Sequence, residues 1–98
     1  MRRGIERFND SETPRIVAGL TKSLGPPQAA VRELQGPARV QVTVAWDLSW
    51  YRWEIGLNGD EEPREVAKGG EVEELAGDGV DWNATVDSSG RVRWREGS

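Results

Sequence analysis

The stretch that decides the fold runs from Arg39 to Leu57, RVQVTVAWDLSWYRWEIGL. Val40, Val42, Val44 and Trp46 alternate with Arg39, Gln41, Thr43 and Ala45, the pattern of a half-buried strand. Tyr51, Trp53, Ile55 and Leu57 alternate in turn with Arg52, Glu54 and Gly56, but on odd positions. The phase slips between Trp46 and Tyr51. An unbroken strand of this length would span roughly 63 Å at about 3.3 Å per residue, far beyond the roughly 13 Å radius of gyration of such a chain. A turn accounts for both facts. With residues 47–50 as the loop, paired residue numbers sum to 97, giving Trp46–Tyr51, Val44–Trp53, Val42–Ile55 and Val40–Leu57, all apolar on both sides. A three-residue loop would set Val44 opposite Arg52. Asp47 suits the start of a type I turn, and a bulge bending one long strand is the rival arrangement.

A second hairpin follows from the same logic. Trp82, Ala84 and Val86 share one face, as do Val92 and Trp94. A loop of Ser88, Ser89 and Gly90 pairs Val86 with Val92 and Ala84 with Trp94, with Gly90 in the left-handed position that closes a type I turn and G1 bulge. These alternations place Trp46, Trp53, Trp82 and Trp94 in the core.

Thr13-Pro14 reads as a helix N-cap followed by Pro at the first helical position. Ile16, Val17, Leu20 and Leu24 form the apolar stripe of a helix over 14–24, with Gly25 as its left-handed cap and Pro26-Pro27 as its stop. Residues 28–35 read as a short second helix on Ala30, Val31 and Leu34, with a strand as the alternative. Residues 1–12 read as a loose N-terminal arm, and 13–98 as one domain. Residues 64–68 suit a short edge strand and 70–76 a short helix with Val72, Leu75 and Ala76 on one face. The expected fold is therefore α+β: one or two N-terminal helices on one face of an antiparallel β-meander of four to five strands.

Composition narrows the chemistry. The 98 residues include neither Cys nor His, which removes the thiolate nucleophile, the commonest general base and the commonest metal ligands. The serines lack an activating partner, and Asp78-Gly79-Val80-Asp81 and Asn58-Gly59-Asp60-Glu61-Glu62 match only fragments of a calcium loop. No catalytic residue, metal site or cofactor is expected. Asn83-Ala84-Thr85 fits a glycosylation sequon. With neither a signal-peptide pattern nor a membrane-length apolar run, a cytoplasmic location away from membranes is the expectation.

Charge is unevenly distributed. The net charge is −4, yet residues 54–81 carry ten acids against Arg64 and Lys68, a balance of −8 that leaves +4 elsewhere. The leading functional expectation is a small non-catalytic protein-interaction module, of inhibitor or accessory-subunit type. It would turn Glu61, Glu62, Glu73 and Glu74 toward a partner protein with a basic surface. The second is single-stranded nucleic-acid binding on an Arg-bearing sheet face formed by Arg39, Arg52, Arg91, Arg93 and Arg95, with Trp50 in the hairpin loop as the exposed stacking ring. The third is a carboxylate-based small enzyme or ligand carrier, which needs a concavity beside Glu54, Asp81 or Asp87 and acids of raised pKa.

Overall fold

The computed structural model describes residues 2–34, 39–56, 62–71, 73, 75, 80 and 82–94. In chain order these form α1 (Arg2–Asp10), α2 (Thr13–Leu24), β1 (Gln28–Leu34), β2 (Arg39–Trp46), β3 (Ser49–Gly56), β4 (Arg64–Gly69), β5 (Ala84–Val86) and β6 (Val92–Trp94). The strands make one six-stranded sheet in the order β4-β3-β2-β1-β5-β6, and its neighbours pair antiparallel. The fold is α+β, with both helices on one face of the sheet, and it holds more strands than the sequence pattern suggested.

The additional strand is β1. Over 28–34 the helical reading gives way to alternation, with Ala29 and Val31 buried and Gln28 and Arg32 exposed. Eight residues are too few to sustain a helix in water, whereas seven cross-strand pairs with β2 satisfy the backbone of this segment.

The β2–β3 hairpin forms, but two residues tighter than expected. Its paired numbers sum to 95: Val40 with Ile55, Val42 with Trp53, Val44 with Tyr51, and Trp46 with Ser49. Asp47 and Leu48 alone make the turn. A shift of two residues leaves every side chain on its own face, so an apolar alternation cannot distinguish 95 from 97. The outer face does distinguish them. The observed register sets Trp50 opposite Ala45 and Arg52 opposite Thr43, and the Arg52 Nε–H donates to Thr43 Oγ1 at 3.0 Å.

The loose arm expected over 1–12 is instead largely helix α1. Ile5 and Phe8, at i and i+3, enter the core, and Phe8 meets Trp53 edge to face at 5.7 Å. Two apolar side chains in nine helical residues make too thin a stripe to be conspicuous in sequence. At Gly4 a Cβ would collide with the Val40 side chain, so glycine lets α1 lie directly on β2. The α2 helix begins with Glu12 rather than Thr13 at its N-cap, without a side-chain cap from that residue. Ser11 serves instead: its Oγ donates to the Phe8 carbonyl at 2.7 Å and accepts the Thr13 N–H at 3.1 Å, joining the two helices. Gly25 ends α2 at φ +89°, and its N–H donates to the Thr21 carbonyl.

Beneath the helices lies the main core, built on Val40, Val42, Val44, Trp46, Trp53 and Ile55 and joined by Val17, Val31, Ala84 and Val92. The opposite face carries a smaller cluster of Ala45, Trp50 and Leu75, flanked by Ala67, Val80 and Trp82. Described residues of the β4–β5 connection thus return across the outer face. Of the helix expected over 70–76, Glu73 and Leu75 take a 3₁₀ turn, while Val72, Glu74 and Ala76 lie outside the described residues. Of the four Trp residues assigned to the core, Trp46 and Trp53 belong to it. Trp82 is half-buried in the outer cluster, because the chain leaves strand geometry before Ala84, and Trp94 is 40% exposed on the terminal strand β6.

Two asparagines complete the sheet. The Asn83 carboxamide accepts the Val31 N–H and donates to the Val31 carbonyl, both at 2.9 Å, just before β5 begins and where β1 continues beside it. The Asn9 carboxamide does the same for Val92, at 2.8 and 3.0 Å, covering the outer edge of β6. Each substitutes for a missing strand neighbour. Asn83→Ala leaves a backbone donor and acceptor of Val31 unpaired and is expected to lower unfolding free energy by about 1–3 kcal/mol. Urea denaturation, with amide exchange at Val31, measures this.

The β5–β6 hairpin has the expected register, Val86 with Val92 and Ala84 with Trp94. Gly90 sits at φ +82° and donates its N–H to the Asp87 carbonyl at 3.0 Å. It is buried beneath α2, and a Cβ there would run into the Pro14 carbonyl. Gly90→Ala therefore combines left-handed strain with a backbone clash and is expected to cost about 2–4 kcal/mol, read as a lower denaturation midpoint at unchanged m-value.

Candidate functional site

The antiparallel registers assemble the outer face residue by residue. One cross-strand row runs Arg32–Gln41–Glu54–Arg64 from β1 to β4. The rows beside it are Leu34–Arg39–Gly56 and Ala30–Thr43–Arg52–Ala67. The next, Gln28–Ala45–Trp50–Gly69, is the end covered by the outer apolar cluster. The uncovered end therefore gathers Arg32, Arg39 and Arg64 around Glu54, while Arg52 in the adjoining row turns to Thr43 and the Trp50 ring. Arg39 Nη1 meets Glu54 Oε1 at 3.1 Å, with the side chains 44% and 23% exposed. Ion pairs this accessible contribute at most about 1 kcal/mol.

Arg39 and Arg52 stand on the outer face as the sequence indicated, and Arg93, opposite Thr85, shares it. Arg93 lies several strands away on β6 and pairs with Asp87 at 3.6 Å. Arg91 is exposed beside the β5–β6 turn, and Arg95 falls outside the described residues. Trp50 is corrected: it is a β3 residue only 8% exposed, with the Arg52 guanidinium 5.4 Å from its ring centroid. The tighter hairpin draws it out of the loop and over Ala45, so this ring is not presented to an unstacked base. Arg32 and Arg64 were missed. Arg32 was hidden by the helical reading of 28–35, and Arg64 by the unknown register of β4.

Of the acidic candidates, Glu62 and Glu73 are exposed, and Glu61 and Glu74 lie outside the described residues. Glu65 and Glu71 are also exposed, so described acids flank β4 at both ends. A hollow of about 310 Å³ opens beside Glu54, lined by Arg39, Glu54, Gly56, Glu62 and Arg64. Glu62 also borders a second hollow of about 400 Å³, shared with Pro63 and the start of α2. Among the described residues no group of acids is arranged to hold a metal ion, and no helix is long and apolar enough to cross a membrane. Asp81 is outside the described residues. The Asn83 carboxamide of the sequon is already engaged by Val31.

Asp87 is held below its ordinary pKa of 3.8. Burial alone would raise it, but the Ser89 hydroxyl, the Arg91 and Ser89 backbone N–H groups and the Arg93 charge together outweigh burial. Its Oδ1 accepts from Ser89 N, Ser89 Oγ and Arg91 N at 2.7–3.0 Å. The depression is thus explained by turn structure, opposite to what a catalytic acid near neutral pH requires. Comparison with family models, curated proteins and solved structures returns no match for the chain.

Because the folded-state pKa lies below the unfolded value, Asp87 stabilises the fold above about pH 3.8 and loses that contribution as pH falls through the folded pKa. Asp87→Asn keeps an acceptor at Oδ1 but does not titrate. Its stability deficit relative to the parent chain should shrink as pH is lowered below 3.8, measured by denaturant midpoints across an acid series.

Proposed function

We propose that the chain is a small non-catalytic protein-interaction module, of inhibitor or accessory-subunit type, that meets a basic partner through its acidic segment. The observation that carries this reading is the exposure of Glu62, Glu65, Glu71 and Glu73 around the edge strand β4. Carboxylates concentrated at one margin raise the local field and steer basic surfaces toward it. Strand addition is not the mode of contact. β4 carries a register shift against β3 between Arg52 and Trp53, and Arg64 and Lys68 stand along it. A bulge and charged side chains are what discourage edge-to-edge pairing. Contact through side chains remains. The nucleic-acid reading ranks second, since the burial of Trp50 removes its stacking ring and leaves only phosphate contacts on the Arg-bearing face.

The test is binding of Lys- and Arg-rich peptides and basic proteins by fluorescence anisotropy at about 0.1 M and about 1 M salt, between which the Debye length falls from ~10 to ~3 Å. Affinity should drop with salt, and joint neutralisation of Glu61, Glu62, Glu73 and Glu74 to Gln should weaken it by about tenfold at the lower salt. Salt-insensitive binding, unchanged affinity in the neutralised variant, or no binding to any basic ligand would overturn the proposal.

A further inference from the structure

The geometry points to a binding site for a small oxyanion, carrying a phosphate or carboxylate group, in the hollow between Arg39 and Arg64 on the outer face of the sheet. This site shares Glu62 with the acidic margin but does not rest on the interaction reading. Three features build it. Arg39 on β2 and Arg64 on β4 flank Glu54 on β3, which places their strands two spacings, about 9–10 Å, apart. Gly56, the next outer-face position along β3, contributes no side chain and leaves the hollow between them open. Its volume of about 310 Å³ is at the lower end of the range for small-ligand sites.

The charge balance selects the ligand. Two carboxylates, Glu54 and Glu62, line the hollow and oppose an anion. Glu54 is already matched by Arg39, which engages a single donor for it and keeps the rest of its guanidinium fork available. Arg64 has no side-chain ion pair among the described residues. Arg32 stands in the same row as Glu54 and Arg64, so this end of the face holds three guanidinium groups against two carboxylates, with Arg52 turned away to Thr43 and the Trp50 ring. A planar guanidinium pair on opposite sides of an open floor suits an oxyanion with two or three accessible oxygens. A cation would meet Glu54 and Glu62 there, but Arg39 already engages Glu54 and the Arg charges of this end of the face oppose it.

Nitrogen-15 spectra of the full chain during titration with inorganic phosphate or succinate, at ionic strength held constant with sodium chloride, test the site. The proposal expects saturable shifts centred on the Gly56 amide and the Arg39 and Arg64 Nε–H groups. Saturation by phosphate alone assigns a phosphate ligand, and by succinate alone a carboxylate ligand. Arg64→Gln, at an exposed position, should weaken binding by about tenfold, while Arg93→Gln on the distant β6 strand should leave it unchanged. Gly56→Leu should fill the hollow and abolish the shifts, and if that variant fails to fold, Arg64→Gln still decides. Shifts that grow without saturation, that chloride reproduces, or that survive Arg64→Gln would overturn the site.

Discussion

The structure depends on the register of β2 against β3. Val40, Val42, Val44 and Trp46 turn one side of β2 toward both helices, while Thr43 and Ala45 are buried on the other side. A strand covered on both faces leaves little room for variation: Ala45 must be small because Trp50 lies opposite, and Thr43 must offer oxygen because Arg52 reaches it. On the inner face Tyr51 stacks on Trp53, two residues further along β3, at 5.9 Å, and Trp46 stands edge-on to Tyr51 at 6.2 Å. With Phe8 against Trp53, these rings form an aromatic floor beneath α1. That floor carries one cost: the Trp46 indole N–H is buried with no acceptor among the described residues, a loss of the order of 1–3 kcal/mol that surrounding apolar burial must offset.

Sequence legibility followed the strength of local signals. The register of the β5–β6 hairpin was legible because parity and the need for a left-handed Gly90 specify the same loop, whereas the places of Trp82 and Trp94 were not. The β2–β3 hairpin was read to its faces but not to its register. Neither Asp47 nor Leu48 takes a positive φ, so its turn lacks the Asn-Gly type of signature that marks most two-residue loops. β1 was left undecided between helix and strand, and α1 was misread, for a shared reason. Ala29-Ala30-Val31 is ambiguous between periods, and Ile5 and Phe8 are too few to announce a helix. In both segments tertiary contact, seven pairs with β2 for one and Trp53 for the other, decides what local propensity leaves open.

Both ends of the sheet are managed by side chains rather than by further strands. At β6 the Asn9 carboxamide occupies the free backbone groups of Val92, so α1 contributes both to the core and to the edge. At β4 the register shift and the alternating charges of Arg64, Glu65 and Lys68 oppose pairing with another chain. Asn83 performs the Asn9 role inside the sheet, just before the short β5 begins beside the longer β1. These contacts span 83 and 52 residues in sequence, which is why no local pattern foretold them.

The distribution of charge shows how far a linear reading can carry a functional site. Residues 54–81 form an acidic block in sequence, but a sheet sorts side chains by parity, not by neighbourhood. Glu54 turns onto the outer face and pairs with Arg39, while Arg64, from within the same block, lies across from it. Among the described residues of the block, the exposed acids are Glu62, Glu65, Glu71 and Glu73 around β4. The Arg-bearing face changes in the opposite sense. It loses Trp50 to burial and gains Arg32 and Arg64, becoming a charged floor with an open hollow rather than a stacking platform. Two surfaces of opposite sign thus meet along β4, and Glu62, which borders both hollows, marks the line between them. A charged group approaching β4 is therefore attracted by one margin and repelled by the other, a gradient that would orient it.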